Sequence, residues 1–219
     1  MAKIDVKENI HEGLKPPANC REDECIFVKG IYHYYHYICD GQKDRGWGCG
    51  YRTLQTICSW VKYQKNSSVT VPSITAIQEA LVAMGDKPAS FKGSREWIGS
   101  VEVAMVVDYF FDEPCKIVHV TSGKELKNHT EELKQHFLTK GAPVMMGGDS
   151  DASSKGIIGL CQNESETYLL ILDPHYHGER PSQQTLVENN FLVWRNVDDF
   201  MDCSFYNLCL CQHKGKDNK

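Results

Sequence analysis

Cys49 lies in the run Gly46-Trp47-Gly48-Cys49-Gly50, where an apolar helical period begins. Leu54, Ile57, Cys58 and Val61 follow at i, i+3, i+4 and i+7, one face of a helix that Cys49 opens. A thiol at a helix start sits among unpartnered N–H groups at the positive end of the dipole, and both favour thiolate over thiol. The thiolate is the nucleophile that acyl transfer requires. Gly48 and Gly50 keep bulk away from the sulfur, so a substrate backbone can come close. The competing reading is a small buried core thiol, the usual fate of a free cysteine.

Such a nucleophile needs a base, and the base needs a carboxylate on its other ring nitrogen. Thr167 to Leu172 reads as a buried strand and runs into Asp173-Pro174-His175. Two residues apart on an extended segment, Asp173 and His175 point to one side, and Pro174 stiffens the backbone between them. His175 follows Cys49 by 126 residues, near the roughly 130–150 of papain-like peptidases. His177 is a rival base on the same loop, further from the strand end. The oxyanion also needs donors. The Cys49 N–H is one, and either Gln42 or Tyr37 upstream can supply the other; composition does not choose between them.

The elements that position these groups follow from periodicity and punctuation. Ile31 to Ile38 is dense in aromatic residues and reads as extended and partly buried. Helices are expected from Cys49 to about Asn66, from an N-cap at Ser73 to Gly85, from a cap at Ser94 with Trp97, Ile98, Val101, Met105 and Tyr109 as its stripe, and over Lys124 to Leu138. Strands are expected at Cys115–Val120, Pro143–Met146, Gly156–Gln162, Thr167–Leu172, Phe191–Arg195 and Phe205–Cys211. Helices first and sheet later is the pattern of an α+β fold. The boundaries expected are a flexible lead-in over 1–25, one catalytic domain over 26–212 and a polar tail over 213–219.

A chain of 219 residues can bury a sizeable core, and a net charge of −5 argues against a broad basic face for nucleic acid. No run reaches the ~18 apolar residues of a spanning helix, and Met1 to Ile10 has no signal-peptide core. Ten cysteines without that signal are expected to be reduced thiols of a cytoplasmic chain, not a disulfide framework. Cys209-Leu210-Cys211-Gln212-His213 has metal-ligand residue types without the spacing of a zinc site, and no metal or cofactor is called for.

The block Tyr34-Tyr35-His36-Tyr37, Asp40-Gly41, Asp44-Arg45-Gly46-Trp47-Gly48-Cys49-Gly50-Tyr51-Arg52-Thr53-Leu54-Gln55-Thr56 resembles the active-site block of the cysteine peptidases specific for ubiquitin-fold modifier 1. Trp97-Ile98-Gly99-Ser100, Pro143 to Gly148, Leu172 to Tyr176 and Ser204 to Leu210 fit the same pattern in the same order, and the length resembles the short, single-domain branch. The resemblance implies a papain-like fold with the nucleophile helix packed on a mostly antiparallel sheet. It implies Cys49 as nucleophile, Asp173 and His175 as the Asp-Pro-His pair, and Tyr37 rather than Gln42 as the oxyanion donor. It further implies trimming of the modifier precursor to its terminal glycine and release of the modifier from conjugated lysines. The partners implied are that precursor and its conjugates, met by a monomer without nucleic acid or membrane insertion. A thin glycine tail calls for a narrow groove, of which Trp47 and Gly48 are candidate walls; Gly147-Gly148-Asp149 reads as a turn. The competing readings are a non-catalytic modifier-binding protein and an autophagy-type peptidase for another ubiquitin-like modifier, since Gly-Trp-Gly-Cys and Asp-Pro-His are similar there too.

Overall fold

The structure, a computed structural model, describes residues 4–150 and 153–213. Its centre is helix α1 (Cys49–Lys65), in which fourteen of seventeen residues are buried. Leu54, Ile57, Cys58 and Val61 form the expected inner stripe, and Asn66 ends the helix in the left-handed conformation. Helix α2 (Ile74–Ala83) starts where Ser73 caps the Ala76 N–H at 3.1 Å, and buries Ile74, Ile77 and Leu81. Helix α3 (Ser100–Phe111) packs against α1 and α2.

Helix α3 departs from expectation in both start and face. Gly99 is its N-cap, and the Glu102 carboxylate, held by Lys87 at 2.6 Å, accepts the Gly99 N–H at 2.9 Å. Ser94 closes only a local turn onto the Glu96 N–H. The buried face is Val103, Val106, Val107 and Phe111, while Trp97, Val101 and Tyr109 face solvent. Both sides of this helix are apolar, so period alone does not say which side is covered.

The other half is an all-antiparallel sheet. Its strands are β4 (Cys115–Val120), β5 (Val144–Gly148), β6 (Ser154–Gln162), β7 (Thr167–Leu172), β8 (Leu192–Asn196) and β9 (Tyr206–Cys211), in the order β4-β9-β5-β6-β7-β8. The long strand β6 pairs with β5 through its first half and with β2 (Cys25–Phe27) through its second, on the same edge. The sheet buries both faces. Met145, Leu170, Leu172 and Cys209 join the core beneath α1–α3. Val144, Met146, Leu169, Ile171 and Leu208 join a second core, beneath a short 3-10 turn (Gly123–His129) and helix α4 (Thr130–Thr139). A bulge at Ile158 makes the alternation slip. Ile158 serves the first core, Leu160 the second, although two residues apart they would share a face in a regular strand.

The stretch read as a flexible lead-in is laid against the domain from Asp5 onward. Strand β1 (Lys7–Glu8) pairs with β3 (His33–Tyr34), and Ile10 and His11 are buried. Side chains hold it more than apolar period does: Gln183, in the short helix α5 (Gln183–Glu188), donates to the Ile10 and Glu12 carbonyls. Trp194 donates to the Lys15 carbonyl. In the tail, His213 pairs with Glu113, and residues 214–219 lie outside the described residues. Among the described residues no helix is long and apolar enough to cross a membrane, and all ten cysteines are free thiols.

Candidate active site

Cys49 is the first residue of α1, with Gly48 as N-cap and no acidic side chain in the first turn. The C-terminal end of β7 delivers Asp173 and His175 against it. The pair is built on a tight turn, not on extended chain. One Asp173 oxygen, Oδ1, accepts both the His175 backbone N–H, at 2.9 Å, and His175 Nδ1. An Asx-type turn of this kind fixes the imidazole by its own backbone. The other Asp173 oxygen lies 4.0 Å from Lys155 Nζ. His175 then meets the Cys49 sulfur on its far side.

The electrostatics favour an ion pair. Burial works against the His175 charge, but Asp173 and Cys49 outweigh it and raise the imidazole to about 9. Burial likewise opposes the Cys49 thiolate. The hydrogen bond from His175, the backbone N–H groups of Ser154 and Gly50, and the charge of His175 bring its pKa below the ordinary thiol value.

Tyr37 arrives by a different route. Three buried polar side chains of α1, Arg52, Thr56 and Ser59, dock the segment that carries it. Ser59 Oγ accepts the His33 N–H at 2.8 Å, and Thr56 Oγ1 accepts the Tyr35 N–H at 3.1 Å. Arg52 grips both oxygens of Asp40, at 2.7 and 2.9 Å, and Asp44 Oδ2 at 2.6 Å. Asp44 accepts the Ile38 N–H at 2.9 Å, and its carbonyl accepts the Gly48 N–H at 2.8 Å. One buried ion-pair cluster therefore fixes the residue after Tyr37 and the residue before Cys49 together. Ile38 sits at φ 63°, a strained setting for a β-branched residue. The Tyr37 ring meets the His175 ring edge-on at 5.1 Å between centroids, and its N–H donates to the Pro174 carbonyl at 3.0 Å. Its hydroxyl is buried beside the Cys49 sulfur, with the Gly46 backbone next to it. Burial and the Cys49 charge raise its pKa, so it stays a protonated donor.

A cleft of about 270 Å³ opens on Cys49, walled by Trp97 to Ser100, Gly147, Gly148, Ser153, Ser154, Phe205 and Asn207. Trp97, 58% exposed, is its outer wall and donates to the Gly46 carbonyl at 3.3 Å. Trp47 is elsewhere: it is buried in the core, edge-on to Tyr51. Gly48 does not line the cleft. A Cβ on it would meet Asp44 at 2.5 Å, and one on Gly50 would meet the Ile98 carbonyl at 2.5 Å. These two glycines are required by packing behind the sulfur, not by approach to it. Gly147-Gly148, read as a turn, ends β5 and lines the cleft.

Cys49, Asp173, His175 and Tyr37 thus converge. Gln42 lies on the Asp40 turn, and His177 is exposed, facing the His175 carbonyl at 3.3 Å. Sequence reasoning passed over Asp40, Asp44, Arg52, Thr56 and Ser59. The signal of Arg52, Thr56 and Ser59 is polar residues placed on helical period where a buried helix offers them no solvent.

The sequence matches Peptidase family C78 over residues 23–209. It is 45% identical over 213 residues to the Ufm1-specific protease 1 of Mus musculus, spanning 96% of each chain. It is 44% identical over 206 residues to the Ufm1-specific protease 2 of Homo sapiens, covering 93% of this chain but 43% of that one. The crystal structure of UfSP from C. elegans superposes with a TM-score of 0.83 at 33% identity, over 96% of this chain and 38% of that one. The α+β, papain-like arrangement expected from the sequence is the one shared.

Proposed function

The chain belongs to peptidase family C78, and on that premise we propose that it is a thiol peptidase and isopeptidase for ubiquitin-fold modifier 1. It trims the precursor to its terminal glycine and releases the modifier from conjugated lysines. The observation that carries this reading is the line Cys49–His175–Asp173 on a cleft lined by Gly99, Gly147 and Gly148, with the buried Tyr37 hydroxyl beside the sulfur.

The Cys49 thiolate attacks the carbonyl of the modifier's last glycine. The developing oxyanion takes hydrogen bonds from the Cys49 N–H and the Tyr37 hydroxyl. His175 gives its proton to the leaving amine, which departs as the extension peptide or the conjugated lysine. The thioester left on Cys49 is then hydrolysed by water, with neutral His175 accepting the water's proton. Asp173 holds the imidazole in the required tautomer throughout.

The test incubates modifier precursor with the parent protein and with Cys49→Ser, beside a panel of other ubiquitin-like precursors. Trimming of this modifier alone, lost in the variant, is expected. Trimming that survives Cys49→Ser refutes the nucleophile, and trimming of another precursor instead refutes the substrate.

A further inference from the structure

His36 is 1% exposed, caged by the rings of Tyr34 and Tyr176 at 5.3 and 5.2 Å. Both of its ring nitrogens face backbone carbonyls: Nδ1 that of Tyr37 at 3.0 Å, and Nε2 that of Asp5 at 2.8 Å; burial lowers its pKa, so the neutral ring donates to one of them and packs against the other. With neither nitrogen turned to the cleft, the ring is a mechanical link and not an acid or base of the reaction. Asp5 is tied a second time, its N–H donating to the Cys39 carbonyl at 2.7 Å. It is tied a third time where its carboxylate accepts the Arg180 N–H, on the loop that follows His175. Beyond Asp5 the β1–β3 pairing, the Asn9–Tyr32 hydrogen bonds and the grip of Gln183 on Ile10 and Glu12 continue the attachment. This segment precedes residues 23–209, which match the family.

We propose that residues 5–12 are a strap that positions the Tyr37 donor, with His36 as the positioning residue that couples strap to tyrosine. The proposal rests on the reading of Tyr37 as the oxyanion donor. The segment 36–39 is pinned on one side by Asp44 and Arg52 and on the other by His36 in its ring cage, the strap, and the Pro174 and His175 contacts of Tyr37. Ile38 in a strained backbone setting needs restraint from both sides to persist. A donor that meets the substrate only when charge develops affects turnover, not ground-state binding.

Precursor processing is measured on the full chain for His36→Gln, His36→Asn and Asp5→Ala, each alone and combined with Tyr37→Phe. The glutamine amide reaches where Nε2 was and the asparagine amide where Nδ1 was, so each keeps one of the two links. Asp5→Ala leaves the ring intact and loosens the strap itself. Each is expected to lower kcat about 5- to 10-fold with KM within about twofold, a fraction of the roughly 10²-fold for losing an oxyanion donor outright. In the Tyr37→Phe background each is expected to have less than about a twofold further effect, because the group being positioned is gone. Alkylation of Cys49 by iodoacetamide, which forms no oxyanion, stays at the parent rate. A full effect that persists beside Tyr37→Phe, or alkylation that falls in step with kcat, overturns the strap while leaving the oxyanion reading standing. A Tyr37→Phe protein with unchanged kcat overturns the oxyanion reading, and the strap's role falls with it.

Discussion

Asp173→Asn isolates the force that makes Cys49 reactive. The asparagine oxygen can still accept the His175 backbone N–H, so the turn survives while the carboxylate charge is lost. An imidazole raised from an ordinary 6.5 to about 9 has its charged form favoured by about 3 kcal/mol. The His175 side chain is 32% exposed, and solvent screening reduces the usable share to about 2 kcal/mol. Asp173 is the larger of the two groups that raise it. Losing it shrinks the thiolate–imidazolium population by up to roughly 30-fold. The same asparagine oxygen still faces Nδ1, so the tautomer is kept and the charge alone is lost. We expect kcat/KM to fall by about 10–10²-fold. The assay that reads the cause is the pH dependence of Cys49 alkylation by iodoacetamide without substrate. The parent should react below the ordinary thiol range, and the inflection of the variant should move up towards that range. Superimposable profiles would refute the claim that Asp173 sustains the ion pair.

Four further outcomes follow from the same geometry. Since His175 must carry its proton to the leaving amine, kcat/KM should decline as pH rises through about 9; a flat profile there contradicts the ion pair. Asp44→Ala leaves the buried Arg52 guanidinium with Asp40 alone as its carboxylate partner and should cost about 1.5–3 kcal/mol. That lowers the melting temperature on the order of 10 °C, and a loss under 2 °C in a thermal melt would mean that the cluster does not hold this loop. Gly50→Ala puts a methyl 2.5 Å from the Ile98 carbonyl, an overpacking cost of about 1–3 kcal/mol. It displaces the start of α1, so turnover should drop about tenfold or more while circular dichroism stays native; unchanged turnover would show that the sulfur's backing tolerates movement. Trp97→Ala removes a cleft wall and should raise KM with little change in kcat, as steady-state kinetics on the precursor will show.

What was legible in the sequence was whatever a period or a cap encodes locally. The α1 stripe, the Ser73 cap, the Asn66 and Gly85 stops and the β6–β7 hairpin all follow from neighbours within one element. The errors lie where the deciding partner is distant. Helix α3 carries apolar residues on two sides, and only the sheet's position shows that Val103 and Val107 are inside and Val101 and Tyr109 outside. The lead-in has no period because it is held by Gln183, Trp194 and His36, which the chain reaches much later or through single hydrogen bonds. That Cys49, Asp173, His175 and Tyr37 would lie together was an expectation from their types, and they do converge. Their support was not, since Arg52, Thr56 and Ser59 look like ordinary surface residues until the helix proves to be central.

Strand β9 is the last element in sequence, yet it sits between β4 and β5 and presents Asn207 to the cleft, where its carbonyl also takes the Ser100 hydroxyl at 2.8 Å. On a growing chain, therefore, β4 and β5 have no common partner until residue 211 has been made. Cys49 precedes its base by 126 residues, and at about 5–20 residues per second that is roughly 6–25 s of synthesis with a nucleophile and no proton acceptor. In that interval the topology itself withholds the ion pair, because the imidazole that completes it belongs to the later half of the chain.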